Sequence, residues 1–328
     1  MTRDLRLDSL KGFLILLVVY AHVPFSYFQI NKTIFLSNIS DSVYFFHMPL
    51  FLAVSALFIK NDYSWLLKRA YLVLIPYLFW FFYGHLKLLI ASPIDFIEIV
   101  VIGNWQYLKS ILWFLPALFS LNLLVFFFER SSKLYKIIIL SSSILVFVFS
   151  SKIIEVHEHI PFGIDIAIYL FVLVYLIKKI YEHQTIIEKI NIISLLLIIL
   201  LTIISLFYFE PVKTHTQWHK IVDLAQFSIP VTFIGYVSFL FLNISIFVLF
   251  LKMKELRVLS YIGFYSFPIF LLHLMVLYKL PNFFSTDSMY LNILFLIITI
   301  VLSIVLPIFL SKIMMKFSDK FKYIGMVK

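Results

Sequence analysis

Residues 6–22 read RLDSLKGFLILLVVYAH, and this stretch decides the fold. Its charged start gives way at Gly12 to an apolar run that continues past His22 to about residue 30. Crossing the hydrocarbon core of a bilayer takes roughly 20 residues of helix, so the segment is long enough to span. A secretory leader also begins with basic residues, but its apolar core is roughly 7 to 15 residues long and ends in a small-residue cleavage pattern. No such pattern follows here, and the segment is expected to be retained as a first span.

The rest of the chain repeats this character. Of its 328 residues, 62% are hydrophobic and 13% charged, with a mean hydropathy of +1.03; a soluble domain carries about a quarter charged residues. Charge and turn clusters mark off ten apolar segments, at about 10–30, 43–59, 70–91, 111–128, 137–151, 161–177, 190–209, 226–251, 258–280 and 290–311. The expectation is an all-α, polytopic integral membrane protein of about ten transmembrane helices, forming a single domain over 1–328. Its larger outward loops fall at 92–110, 152–160 and 210–225.

The net charge of +10 comes from 27 Lys and Arg against 17 Asp and Glu. These basic residues lie between the apolar segments, so they read as topology signals and not as a nucleic-acid surface. Alternate connections starting from the N-terminus hold 20 of them and the opposite set 7. The positive-inside rule then puts both termini in the cytoplasm. The absence of Cys excludes disulfides, zinc-thiolate sites and cysteine nucleophiles.

Polar groups inside spans cost a few kcal/mol unless partnered or wetted, which makes each one a site candidate. On a helix, Asp8, Lys11 and His22 share one stripe, with the imidazole about 16 Å beyond the lysine. Such a stripe suits a phosphorylated donor that threads its reactive end inward. It equally suits a snorkelling lysine and a structural histidine. His47 starts the second segment and Ser55 lies inside it. Ser266 and His273, seven apart, share a face of the ninth, with Pro268 expected to kink the helix between them. Lys68 and Arg69 open the third, as an orientation signal or a phosphate site, and Trp113 sits near an interface in the fourth.

Metal sites are not expected. His157 with His159, and His215 with His219, have no carboxylate-rich third ligand. Trp218 and Gln217, beside the second pair, form a mixture that can stack on and hydrogen-bond to a sugar. No phosphate loop, dinucleotide fingerprint or hydrolase elbow occurs.

Taken together, RLDSLKGFLILLVVYAH, HMPLFLAVSALF, KRAYLVLIPYLFW, LWFLPALF and IGFYSFPIFLLH resemble, in order, the motifs of the membrane acyltransferase 3 family. The likeness is greatest to its fucose 4-O-acetyltransferase-like branch, which acts on bacterial surface glycans. The resemblance covers essentially the whole chain. It implies transfer of an acyl group, usually acetyl from acetyl-CoA, to a hydroxyl of a carbohydrate or lipid-linked glycan precursor at the bacterial cytoplasmic membrane. No permanently bound cofactor is implied; acetyl-CoA is a substrate. The resemblance also implies that His22 is the catalytic histidine, with Asp8 available to orient Lys11 or the imidazole. Lys11, Arg69 and Lys68 would lie near the donor's phosphates. His47, Ser55, Trp113, His273 and Ser266 would line or support the pocket. Two positions depart from the family pattern: Lys11 stands where Arg is frequent, and Ala56 where Gly usually follows the serine. A glycan export component without acyl transfer is the competing reading, since buried polar clusters also line translocation paths. Membrane lipid is an expected partner and nucleic acid is not. A homo-oligomer and a glycan-synthesis complex both remain open.

Overall fold

A computed structural model of the chain describes residues 3–23, 43, 45–60, 62–102, 111–153, 161–208, 229–279 and 288–327. No β-strand occurs among them. The helices are α1 (Leu5–Ala21), α2 (His47–Ser55), α3 (Tyr63–Ala91), α4 (Pro93–Ile102), α5 (Phe114–Arg130), α6 (Lys133–Ile153), α7 (Ile164–Glu182), α8 (Gln184–Lys189), α9 (Ile192–Tyr208), α10 (Ile229–Lys252), α11 (Arg257–Phe264), α12 (Ser266–Lys279) and α13 (Met289–Phe317).

Among the described residues, four stretches are long and apolar enough to cross a membrane: Tyr63–Ala91, Pro161–Glu182, Phe233–Lys252 and Met289–Phe317. A fifth is reached if α11 and α12, bent by 78° across Tyr265, count as one broken span. The polarity of α13 is inverted relative to a helix of a water-soluble protein. It buries Asn292, Thr299, Ser303 and Ser311 and exposes Leu294, Ile297, Val301 and Val305. Only a hydrocarbon solvent rewards that arrangement, because buried polar groups must pair internally while apolar ones lose nothing outside. The chain is therefore an all-α, multi-pass membrane protein.

Three expectations change in detail. The stretch 92–110 is not all loop, since α4 occupies Pro93–Ile102. Pro93 fits a first helical position, where its missing N–H costs nothing, and Phe96 and Ile99 bury one face. The bend in the ninth segment falls at Tyr265 instead of Pro268, because Pro268 lies in the first turn of α12, where proline is tolerated. The first helix ends at Ala21, with His22 as its C-cap residue, so the histidine stands at a helix end and not midway along one.

The chain divides into two compact units. One joins its two ends, Met1–Phe51 with Met253–Lys328, and the other is Leu52–Lys252. In the first unit, α1 packs on α11, α12 and α13. A Cβ on Gly12 would run into the carbonyl oxygen of Leu259, and one on Gly263 into that of Asp8. These two glycines let the backbones touch, as small residues do at membrane helix crossings. Ser9 fastens the same crossing: its Oγ accepts from Leu256 N–H at 3.0 Å and donates to Leu5 O at 2.9 Å. Near the C-terminal end of α13, Ser311 exchanges two 2.7 Å hydrogen bonds with the Val327 backbone.

In the second unit, α3 packs on α4 and α5, α5 on α7, α6 on α7, and α9 on α10. Asp62 caps α3 by accepting from Ser64 N–H and Trp65 N–H. Lys178 on α7 reaches Glu129 on α5 at 2.6 Å. Lys252, ending α10, donates to the Ile187 and Glu188 carbonyls at 2.9 and 3.1 Å. Both lysines answer carbonyl or carboxylate charge that would otherwise be stranded at helix ends.

Candidate active site

The first unit gathers histidines. The C-cap position of α1 aims the His22 ring back along its helix, so that Nδ1 lies 2.8 Å from Val18 O. A carbonyl only accepts, so this nitrogen carries the proton and Nε2 keeps its lone pair. His273 is fully buried on α12, with Nδ1 3.0 and 2.9 Å from Ile269 O and Phe270 O. Its tautomer is fixed in the same way, and among the described residues its Nε2 has no hydrogen-bond partner. The two rings meet edge to face, 5.3 Å between centroids and 68° between planes. His47, also fully buried, directs Nδ1 to Val43 O at 2.7 Å. Just before α2, Phe46 stacks on Phe13 of α1 at 6.3 Å.

The bend at Tyr265 makes this meeting possible. It turns α12 away from α11, so one broken segment offers Gly263 to the start of α1 and His273 to its end. Ser266, buried at the start of α12, lies two turns before His273 on the same face.

Asp8 lies elsewhere. It forms an ion pair with Arg3, and Arg3 also stacks its guanidinium 4.1 Å from the Phe264 ring centroid. Fourteen residues of helix separate Asp8 from His22, about 21 Å at 1.5 Å per residue, so its carboxylate secures the far end of α1. Lys11 is half-buried between them.

The remaining candidates fall in the second unit. Arg69 is half-buried on α3, and its guanidinium donates to Ser55 O at 3.3 Å; Lys68 beside it is exposed. Trp113 ends a short 3-10 turn, with its ring edge-on to Phe114. His157, His159, His215, Gln217, Trp218 and His219 lie outside the described residues. Arg3 and Asn122 escape the sequence reading. Arg3 precedes every apolar run, so nothing local marks it. Asn122 carries a signal, being an amide in the middle of the run FLPALFSLNLLVFFF.

Comparison with known proteins bears on this arrangement. A family model described as an acyltransferase domain matches residues 4–312, from before Asp8 to beyond His273 and through both units. The chain belongs to this acyltransferase family. Two curated relatives of this acyltransferase-domain chain are similar over part of it. The nodulation protein NolL of Mesorhizobium japonicum is 31% identical over 152 residues, which cover 44% of this chain and 41% of that protein. The nodulation protein NolL of Sinorhizobium fredii is 31% identical over 165 residues, covering 44% and 42%. The matches thus take in less than half the length of either relative. No solved structure matches the chain.

Proposed function

We propose that this protein is a membrane O-acyltransferase that moves acetyl from acetyl-CoA to a hydroxyl of a surface polysaccharide or lipid-linked glycan precursor at the bacterial cytoplasmic membrane. The family model, running through both units, favours one acyltransferase domain over the chain. The observation that carries the chemistry is the His22 imidazole, whose Nδ1 is committed to Val18 O and whose Nε2 is left as a base.

A sugar hydroxyl is a poor nucleophile until its proton has somewhere to go. His22 Nε2 takes that proton while the oxygen attacks the thioester carbonyl, giving a tetrahedral intermediate with charge on the former carbonyl oxygen. Collapse expels the coenzyme thiolate, which recovers the proton from the imidazolium, leaving the ester, the free thiol and neutral His22. His273, edge-on to His22 with an unpartnered Nε2, supplies a second lone pair close to the transient imidazolium. General base catalysis contributes typically 10²–10⁴-fold, and holding both substrates in register supplies the other large share.

The test is the ester content of the cell-surface glycan. Its mass is measured before and after mild base in cells carrying the wild type, His22→Ala or no copy, at matched membrane abundance. A base-labile acetyl mass with the wild type alone supports the reading. Equal ester content with wild type and His22→Ala removes the histidine from the chemistry. Unchanged esters with loss of surface glycan in the deletion would replace transfer by export.

A further inference from the structure

Asn122 is fully buried inside α5, and neither its amide nitrogen nor its carbonyl oxygen has a hydrogen-bond partner among the described residues. Burying an amide without partners costs roughly 2–7 kcal/mol, an expense that a leucine in this apolar helix would avoid. One helix away, Arg69 holds a buried Nε that also has no partner. No carboxylate pairs with its guanidinium among the described residues.

Two contacts set the level of these groups on α3 and α5. Near the start of α3, the Tyr63 ring lies 5.2 Å from Phe126 and 4.0 Å from the Arg130 guanidinium. Further along, Leu74 joins Phe119 and Ser120 in the wall of an apolar cavity of about 380 Å³. The helices therefore run antiparallel, and interpolation puts Arg69 level with Asn122. At about 100° per residue, both side chains leave the helix pair on the same side, away from the cavity. The Arg69 bond to Ser55 O places the end of α2 on that side too.

We propose that Asn122 and Arg69 bind the pantetheine arm of the acyl donor. This assignment rests on the acetyl-CoA reading above and adds a binding residue to it. A side-chain amide missing both a donor and an acceptor partner is complemented by a secondary amide, and the arm carries two of them. Asn122 donates to the amide carbonyl and accepts from the amide N–H, while Arg69 Nε–H meets an anionic oxygen of the adjoining phosphate. A glycan hydroxyl would satisfy Asn122 but leave the Arg69 charge uncompensated.

The test compares the wild type, Asn122→Leu and Asn122→Ser in lipid nanodiscs. Affinity is measured for CoA, for phosphopantetheine, which lacks the nucleotide, and for adenosine bisphosphate, which lacks the arm. Both variants are expected to bind CoA and phosphopantetheine about 10- to 100-fold more weakly, the loss of one or two hydrogen bonds to a buried partner. Adenosine bisphosphate should bind all three proteins alike. The ligand-free leucine variant should melt no lower than the wild type, because an apolar isostere removes an unpaired group. A lower melting temperature without ligand in both variants, or an equal loss for all three ligands, would make Asn122 a structural residue and overturn the proposal. Undiminished CoA binding by the variants would overturn it alone. Failure of the wild type to bind CoA would overturn the donor reading and this assignment together.

Discussion

The histidine cluster and the Arg69–Asn122 pair represent opposite kinds of site. Around His22, His47 and His273, each Nδ1 is committed to a backbone carbonyl four residues earlier in the chain, so tautomers and ring directions are fixed before any substrate arrives. Around Asn122, an amide and a guanidinium nitrogen are buried with no hydrogen-bond partner among the described residues. On the proposed reading, the contrast divides a membrane enzyme's tasks between the two places. Reacting groups gain from being preset, since reorganisation during reaction would add to the barrier. Binding groups can be left incomplete, since the ligand supplies the missing partners and the affinity that follows.

The contrast breaks most severely at Gly263. Gly263→Val drives a branched side chain into the Asp8 carbonyl, separates α11 from α1 and takes the broken segment that carries His273 with it. Folded protein recovered from membranes should fall to near zero, measured as monodisperse material after extraction. Next in size is His22→Ala, which should cut transfer by about 10²–10⁴-fold at unchanged abundance and melting temperature; kcat against abundance separates it from the glycine variant. Arg69→Lys sharpens the other side. It keeps the charge but loses the forked donor geometry, so the dissociation constant for CoA should rise about 10-fold while kcat holds within a few-fold. The smallest effect belongs to Asp62, outside both sites. The Ser64 hydroxyl and backbone N–H hold its carboxyl below the usual range. That contribution is present above the ordinary carboxylate pKa and is lost as pH falls through the lowered value. Asp62→Ala should therefore melt slightly lower than the wild type near neutrality, and the difference should close in acid.

The sequence exposes part of this design for reasons that can be traced. His22 and His273 are legible because an ionisable group in an apolar run is costly enough to need a purpose. Their meeting is not legible, because periodicity tells which face a residue occupies but not which helix it faces. The same limit explains Asp8. Helical spacing groups it with His22, but its ion pair with Arg3 and its distance along the axis set it apart. Pro268 misleads by position, since a proline bends a helix only where a preceding turn exists to be broken, and α12 has none before it. Asn122 is missed because an uncharged amide attracts less attention than a histidine, although an unpaired one is nearly as expensive in hydrocarbon.

The crossing of Gly12 with the segment around Gly263 also has a consequence for how the protein is made. Translation at 5–20 residues per second needs roughly 13–50 s to travel from one glycine to the other. During that interval α1 is without the helix that receives its backbone, while the whole of Leu52–Lys252 is synthesised. The meeting of His22 with His273 can therefore form only after the ribosome has passed Gly263, so a chain interrupted before that point carries Leu52–Lys252 without the paired histidines.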